Sequence, residues 1–299
     1  MVAARNERLQ QLMHTGDRMA WSTAAVVLAL GDDGTDDQRQ AAGDVADALG
    51  LTLGDLAEPE RRGAAAQAAA PLLQAAALLH GDGMLWSGQS DEALLAQGRT
   101  SAQGVAMFAR LGLPLLPGLA EALARQGARM LDVGTGVAAL AVAYAEHFPA
   151  LTVVGIDVLP RVLALAAQTA SASSVADRVV LREQDVGTLD EEAAYDLVWL
   201  PAPFVPGAAL RAGLPRVASA LLPGGWVLLG HGKFTGEHLD DTLTRFKTLA
   251  FGGTALDDHQ AQQVLKDSAF EAVSTMPTPP GTPGITVGRK PAGHLPSDR

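Results

Sequence analysis

The 299-residue sequence contains no cysteine, and aromatic residues make up only 4% of it. The absence of cysteine excludes disulfide bonds, thiolate metal sites and cysteine nucleophiles. No apolar run reaches the roughly 18 residues that a membrane-spanning helix requires. Positive charge is also scarce, with 22 Lys and Arg against 33 Asp and Glu and a net charge of −11. Because nucleic-acid phosphates are bound by clustered Lys and Arg, this balance argues against a nucleic-acid partner.

The residues that are present indicate a folded chain with a large core. Hydrophobic residues make up 48% of the sequence, and the mean hydropathy is +0.14. The length suits one large domain or two small ones. The apolar stretch at residues 19–30 resembles part of a signal peptide, but Glu7 and Asp17 interrupt the basic region that should precede it. We therefore predict a buried helix there and a cytoplasmic protein.

The first hundred residues have the apolar spacing of helices, at intervals of three and four. The predicted helices are 6–12, 20–30, 38–49, 64–80, 92–97 and 105–111. Thr35 to Asp37 can cap one of them, and Asp91 another. We predict an all-α N-terminal domain over residues 1–96 that covers a neighbouring domain or forms a dimer.

From Arg129 onwards, short apolar strands alternate with helices. The predicted strands are 129–133, 151–156, 179–183, 195–200, 226–229, 270–275 and 284–287. This alternation is typical of right-handed βαβ units in a parallel sheet. The last two strands have only a loop between them, which indicates an antiparallel pair at one edge. We predict an α/β fold over 97–290, with a Rossmann-like seven-stranded sheet and a reversed last strand, followed by a loose tail over 291–299.

A glycine turn follows the first predicted strand. Asp132 lies near the end of that strand, and Gly134 and Gly136 follow it. Glycine admits unusual backbone angles and close approach of a ligand, and the helix after the turn attracts a carboxylate to its N-terminus. Asp157 ends the next strand, where its carboxylate can accept hydrogen bonds from both hydroxyls of a ribose. In open α/β sheets, ligands bind beyond the carboxyl ends of the strands, so we expect a site there.

The glycines alone leave two cofactor classes open, because Gly-x-Gly-x-x-Ala also occurs in dinucleotide-binding folds. Three features argue against a dinucleotide-binding fold. Asp132 lies two residues before Gly134, where dinucleotide-binding folds usually have an apolar residue. The unit also lies mid-chain behind a helical region, and the C-terminal pattern suits a reversed last strand. A nicotinamide dehydrogenase remains an alternative, and it predicts binding of NAD.

Five segments in this order carry a resemblance to a known family: LDVGTGVAALA (131–141), VVGIDV (153–158), REQDV (182–186), YDLVWLPAPF (195–204) and LLPGGWVLLG (221–230). With them, residues 97–290 resemble the class I S-adenosylmethionine (SAM)-dependent methyltransferases. One departure is Ala138, where many members have a third glycine. The resemblance implies S-adenosyl-L-methionine as the cofactor.

The family's residue roles can be transferred to matching positions. Gly134 and Gly136 would meet the methionine part of SAM, Asp132 its amino end, and Asp157 the ribose. Asp185 would receive the adenine amino group, and Arg99 could pair with the SAM carboxylate. The full set of implied cofactor contacts is Arg99, Asp132, Gly134, Thr135, Gly136, Asp157, Val158, Asp185, Val186, Leu200 and Pro201.

The acceptor side is less well defined by the sequence. His231 follows a predicted strand and is our candidate general base, although a histidine in a surface loop has the same pattern. Trp21, Trp86 and Phe204 are candidate substrate contacts, as is Phe108, and core packing is the alternative for each. We see no carboxylate cluster that would hold a metal ion, so we expect none.

These observations favour a small-molecule methyltransferase. The loop after the fourth strand lacks the His-Asp pair that plant-type O-methyltransferases carry there, so their mechanism cannot be transferred. O-methylation is the more common reaction in the family. The alternatives are C-methylation of an indole-type ring and methylation of an amine that is already nucleophilic. Peptide or protein methylation and a non-catalytic SAM-binding protein are further alternatives. The Ala- and Gly-rich, Lys-poor composition is associated with specialised metabolism, and the N-terminal helices could form a homodimer.

Overall fold

The computed structural model describes residues 2–79, 85–279 and 282–292. The helices are α1 (Val2–Leu30), α2 (Asp36–Ala48), α3 (Glu58–Leu79), α4 (Asp91–Met107), α5 (Leu119–Ala124), α6 (Ala139–His147), α7 (Pro160–Ser171), α8 (Gly207–Ala220), α9 (His238–Ala250) and α10 (Asp258–Asp267). The strands are β1 (Arg129–Val133), β2 (Thr152–Asp157), β3 (Val179–Glu183), β4 (Tyr195–Pro201), β5 (Leu221–His231), β6 (Glu271–Thr275) and β7 (Gly284–Arg289).

All seven strands form one sheet in the order β3-β2-β1-β4-β5-β7-β6. Strands β1 to β5 pair in parallel, whereas β7 lies antiparallel between β5 and β6. The prediction of an α/β fold with a seven-stranded sheet and a reversed last strand is therefore confirmed. The strand order turns back between β1 and β4, which is the position where such sheets bind ligands.

The central strands are buried on both faces, which explains why they are continuous apolar runs and do not alternate with polar residues. Met130 and Leu131 of β1 are both fully buried but belong to different core clusters. One cluster includes residues of α5, α6 and α7, and the other includes residues of α8 and α10. Helices thus cover both faces of the sheet and leave the carboxyl ends of its parallel strands available for a site.

The N-terminal region is helical as predicted, but several of its helix boundaries differ. Residues 6–12 and 20–30 belong to one helix, α1. Residues 92–97 belong to α4, which continues through Gly98 and Gly104 to Met107 and then into a wider turn over Phe108–Gly112. The predicted helix ended at residue 97, yet neither glycine ends α4. The predicted domain boundary between residues 96 and 97 stays a prediction, and α4 crosses it without interruption.

Several helix caps and helix ends lie at or near the predicted positions. Thr35 caps α2, because its hydroxyl accepts from the Gln38 backbone N–H at 3.3 Å and the Gln38 side chain accepts from the Thr35 N–H at 2.9 Å. Ser90, and not Asp91, caps α4. The helix predicted over 64–80 begins earlier, at Glu58, and residue 80 lies outside the described residues. In the part of the chain that the structure describes, no helix has both the length and the apolar character needed to cross a bilayer.

Candidate cofactor and acceptor site

A cavity of about 350 Å³ lies beyond the carboxyl ends of β1, β2 and β4, and residues of α4 line another of its sides. Of the eleven residues predicted to contact a cofactor, nine line this cavity, and only Arg99 and Leu200 do not. The sequence pattern therefore located the cavity and most of its lining.

The glycine turn forms one wall of the cavity through its backbone. Gly134 has φ +63° and Gly136 has φ +57°, a left-handed conformation that any residue with a Cβ adopts at a cost. Ala138 has φ +59° as well, which gives a physical reason for the third glycine of the family pattern. At this fully buried position the alanine adopts the conformation that glycine would adopt without strain.

Asp157 is held in place by two backbone N–H groups. Its Oδ2 accepts from Gly136 N at 3.0 Å, and its Oδ1 accepts from Leu159 N at 3.0 Å. Burial raises the pKa of the Asp157 carboxyl, and the backbone hydrogen bonds oppose this rise. Each carboxylate oxygen has a second lone pair, so the group can still accept from the two hydroxyls of a ribose.

Asp132 is almost completely buried, with 1% of its surface exposed. Its Oδ2 accepts from the Thr135 hydroxyl at 2.7 Å. Burial raises its pKa to about 7, the Thr135 hydrogen bond opposes the rise, and the charge of Asp157 adds to it. A buried carboxyl without a cationic partner fits the amino group of SAM, because a positive charge there would stabilise its ionised form.

The adenine side of the predicted site is more open. Asp185 is exposed at the cavity rim, and its Oδ1 accepts from Gly187 N at 2.6 Å. Val186 beside it is buried against α8, where a Cβ on Gly213 would lie 2.7 Å from a Val186 methyl group. This close packing fixes the position of Val186 in the cavity wall.

The wall that α4 contributes differs from the predicted one. Gln97, Gly98 and Ser101 line the cavity, whereas Arg99 lies on the exposed side of the helix. Arg99 is therefore not brought to the cavity, and its contact with the SAM carboxylate stays a prediction. The reason is helical periodicity, since residues 97 and 101 share a face that residue 99 does not. The Gln97 amide donates to the Ser101 hydroxyl at 3.3 Å, so two polar groups that the sequence analysis missed occupy this wall.

The sequence model of a methyltransferase domain family matches residues 130–225. A demethylmenaquinone methyltransferase of Deinococcus radiodurans is 36% identical over 111 residues, which cover 37% of this chain and 45% of that protein. A release factor glutamine methyltransferase of Cereibacter sphaeroides is 36% identical over 118 residues, covering 38% of this chain and 42% of that protein. The chain thus spans less than half the length of these curated relatives.

Solved structures match over almost the whole chain. Human N-acetylserotonin methyltransferase, solved with SAM, has a TM-score of 0.64 at 16% identity, covering 96% of this chain and 98% of that one. An O-methyltransferase family protein of Burkholderia thailandensis has a TM-score of 0.61 at 16% identity, covering 97% and 98%. Residues 130–225 therefore match a methyltransferase domain, and the whole chain, with its N-terminal helices, has the fold of these solved methyltransferases.

In this methyltransferase domain, the end of β4 presents a different set of side chains from the predicted one. Pro201 lines the cavity as expected, but Leu200 is fully buried in the core. Trp199, two residues before Pro201, lines the cavity as well. Successive side chains of a strand point to opposite faces, so Leu200 cannot share the orientation of its two neighbours.

His231 lies away from the cavity, fully buried at the end of β5 between Thr286 of β7 and Asp258 of α10. Its Nδ1 donates to Gly232 O at 2.8 Å, and its Nε2 lies 2.9 Å from the Thr286 hydroxyl. Because a carbonyl only accepts, Nδ1 carries a proton, and in the neutral imidazole Nε2 then accepts from the Thr286 hydroxyl. The chain of hydrogen bonds continues from Thr286 to Thr275 at 3.0 Å and to the Gln262 amide at 3.1 Å. This position does not support the predicted role as general base, and a structural role fits it better.

The candidate aromatic contacts separate into two groups. Trp86 and Phe204 line the cavity, with their ring centroids 4.9 Å apart. Trp21 lies on α1, is 72% exposed and does not line the cavity, and Phe108 is buried with its ring 6.0 Å from Tyr144. Phe251, at the end of α9, also lines the cavity and was missed, because no local pattern connects it with residues 86 and 204.

Among the described residues, no group of three or more His, Asp and Glu side chains has the arrangement of a metal site. The neighbouring Asp257, Asp258 and His259 were the nearest candidate in the sequence. Asp257 instead caps α10, where its Oδ1 accepts from Gln260 N at 2.8 Å.

Proposed function

We propose that this protein transfers the methyl group of S-adenosyl-L-methionine to a small molecule. The observation that carries the proposal is one cavity that combines the left-handed glycine turn at 134–136, the fixed carboxylate of Asp157 and the buried carboxyl of Asp132. A nucleoside with a cationic amino acid attached requires these three features together. SAM supplies a methyl group on a positively charged sulfur, and the protein's task is to hold the acceptor atom near it.

The cover over the cavity favours a small acceptor over a peptide. Residues of α4 and the segment 85–87 line the cavity together with the carboxyl ends of the strands. A Cβ added at Gly98 would lie 2.3 Å from a Val137 methyl group, so α4 packs directly against the residue that follows the glycine turn. A mitomycin 7-O-methyltransferase matches in fold over 97% of this chain, whereas the release factor glutamine methyltransferase of Cereibacter sphaeroides matches 38% of it. The neighbour that shares the N-terminal cover thus supports a small acceptor, in specialised metabolism by our proposal. Oxygen, carbon and the nitrogen of an already nucleophilic amine are the acceptor atoms that this proposal leaves open.

The test is a thermal-shift comparison of SAM, S-adenosylhomocysteine and NAD. We expect the first two to raise the melting temperature, NAD to leave it unchanged, and Asp157→Ala to remove the stabilisation because the ribose loses its acceptor. Asp177→Ala is the matched control, since it removes an exposed carboxylate outside the cavity. Stabilisation by NAD, or an unchanged response in Asp157→Ala, would contradict the proposal.

The homodimer and the cytoplasmic location are further expectations from the sequence, and the location stays a prediction. For the homodimer, α1 offers a candidate surface. Its Leu9, Leu12, Met13 and Met19 are 56% to 66% exposed and recur at helical spacing on one face. A second apolar stripe lies on α9, with Leu239, Leu243, Phe246 and Leu249 exposed while Thr248 is buried.

Exposed apolar stripes of this kind mark surfaces that become buried against a partner. We propose that a second copy covers them. Analytical ultracentrifugation should then give twice the chain mass of 30.8 kDa. Leu12→Glu with Met13→Glu should give the monomer mass, and Leu115→Glu, which changes an exposed leucine elsewhere, should not. A monomeric unmodified protein at micromolar concentration would exclude the dimer.

A further inference from the structure

Three aromatic side chains from distant parts of the sequence meet in the cavity, and we refer to Trp86, Phe204 and Phe251 as the aromatic wall. The ring of Trp86 lies 4.9 Å from that of Phe204 and 5.5 Å from that of Phe251, measured between centroids. The Trp86 and Phe251 planes are nearly perpendicular, at 86°, and the two phenyl rings are 6.4 Å apart. Such tilted arrangements of neighbouring rings are the ones that aromatic quadrupoles favour.

Main-chain hydrogen bonds hold the three segments of the aromatic wall together. Leu85 N donates to Ala250 O at 2.8 Å, which ties the Trp86 segment to the end of α9. Thr254 N donates to Ala202 O at 2.8 Å, which ties the Phe251 segment to the Phe204 turn. At Gly253 a Cβ would lie 1.8 Å from Pro203 O, so these two backbones touch. The wall is therefore formed before a ligand arrives, which lowers the entropic cost of binding.

The other walls of the cavity are acidic. Asp132, Asp157 and Asp185 contribute carboxyl groups, and no Lys or Arg is among the described residues that line it. The chain as a whole has a net charge of −11. Aromatic faces carry the negative part of the ring quadrupole and attract cations within about 6 Å. Carboxylates and ring faces thus act in the same direction, because both favour positive charge and disfavour an anion.

We propose that the aromatic wall receives an acceptor that is neutral when it binds and becomes positively charged on methylation. The matching class is a neutral amine, a heteroaromatic nitrogen or a carbon of an electron-rich ring. This inference rests on the proposed function, which it narrows to acceptors of this class. An acceptor that enters as an anion, such as a phenolate, gives a neutral product and has no use for such a wall.

The charge balance explains the role of the wall. The bond between the methyl carbon and sulfur breaks with its electron pair on sulfur, and a lone pair or π pair of the acceptor forms the new bond. The positive charge moves from sulfur to the acceptor, and a proton on the methylated atom leaves to water afterwards. Aromatic faces stabilise the charge where it appears, which is the property that lowers a barrier.

The experiment compares two probes of equal shape and different charge, N,N,N-trimethylanilinium and tert-butylbenzene. Their affinities are measured by calorimetry, with and without S-adenosylhomocysteine. We expect the cation to bind at least tenfold more tightly. Trp86→Leu and, separately, Phe204→Leu should weaken the cation about tenfold and change the neutral probe little, since leucine keeps apolar surface but has no quadrupole.

Trp21→Leu is the matched control, because this tryptophan is exposed on α1 outside the cavity, and it should leave both affinities unchanged. Equal affinity of the two probes, or equal losses for both in the Trp86 and Phe204 variants, would overturn the inference. Stabilisation by S-adenosylhomocysteine is measured on every sample. If S-adenosylhomocysteine does not stabilise the unmodified protein, the proposed function is overturned. If it does stabilise the protein but the two probes bind with equal affinity, only this inference is overturned.

Discussion

Asp132→Asn is expected to stabilise the ligand-free protein above pH 7 and to weaken its binding of SAM at least tenfold. Asp132 is fully buried, and burial raises the pKa of its carboxyl to about 7. Asparagine has the same shape and no charge, so it avoids the cost of ionisation and can still accept from the Thr135 hydroxyl. It lacks the charge that would pair with the amino group of SAM.

The pH dependence follows from the direction of this shift. In the unfolded chain an aspartate loses its proton near pH 3.9, whereas in the folded protein Asp132 keeps it to about pH 7. Between these values the folded state binds more protons, so the contribution of Asp132 to the free energy of unfolding falls as the pH rises through this window. Above pH 7 the variant should melt on the order of 5 °C higher than the unmodified protein.

SAM affinity should have the opposite pH dependence. Only ionised Asp132 pairs with a cationic amino group, so the affinity should rise between pH 5.5 and 7.5, by up to about tenfold per unit below the pKa. Calorimetry across this range is the measurement. The rise of SAM affinity with pH should disappear in Asp132→Asn. It should persist in Asp185→Asn, which changes an exposed carboxylate of the same cavity. A flat profile in the unmodified protein would refute the coupling.

The cofactor half of the site could be predicted from the sequence because it depends on local geometry. Gly134 and Gly136 are required by left-handed φ angles, and Asp157 marks the end of a strand whose neighbour ends at the same edge. These features repeat wherever the fold occurs, so short segments identify them.

The acceptor half could not be predicted, because it depends on contacts between distant segments. Main-chain hydrogen bonds join the Phe251 segment to the Trp86 and Phe204 segments, which lie about 165 and about 50 residues away in the sequence, and no periodicity indicates such contacts. His231 was a reasonable candidate as the residue that ends a strand, but its strand β5 pairs with β7, and that pairing places it beside Thr286 and not in the cavity.

The two glycines of α4 form a matched pair that tests the packing of this helix on the cofactor turn. Both lie inside one helix. A Cβ on Gly98 would lie 2.3 Å from a Val137 methyl group and 3.2 Å from the Ala139 Cβ, whereas a Cβ on Gly104 would meet nothing within 4 Å. The same substitution at the two positions therefore differs only in its surroundings.

Gly104→Ala should raise the free energy of unfolding by about 1 kcal/mol, the difference between the helix propensities of glycine and alanine. Gly98→Ala should lower it, since Val137 is buried and stiff at its β-branch and overpacking costs about 1–3 kcal/mol. Because Val137 directly follows the turn at Gly134 and Gly136, the displaced helix should also weaken SAM binding by about tenfold. Chemical denaturation and calorimetry measure both effects. A Gly98→Ala protein that is as stable as Gly104→Ala, with unchanged SAM affinity, would mean that α4 does not hold the turn in place.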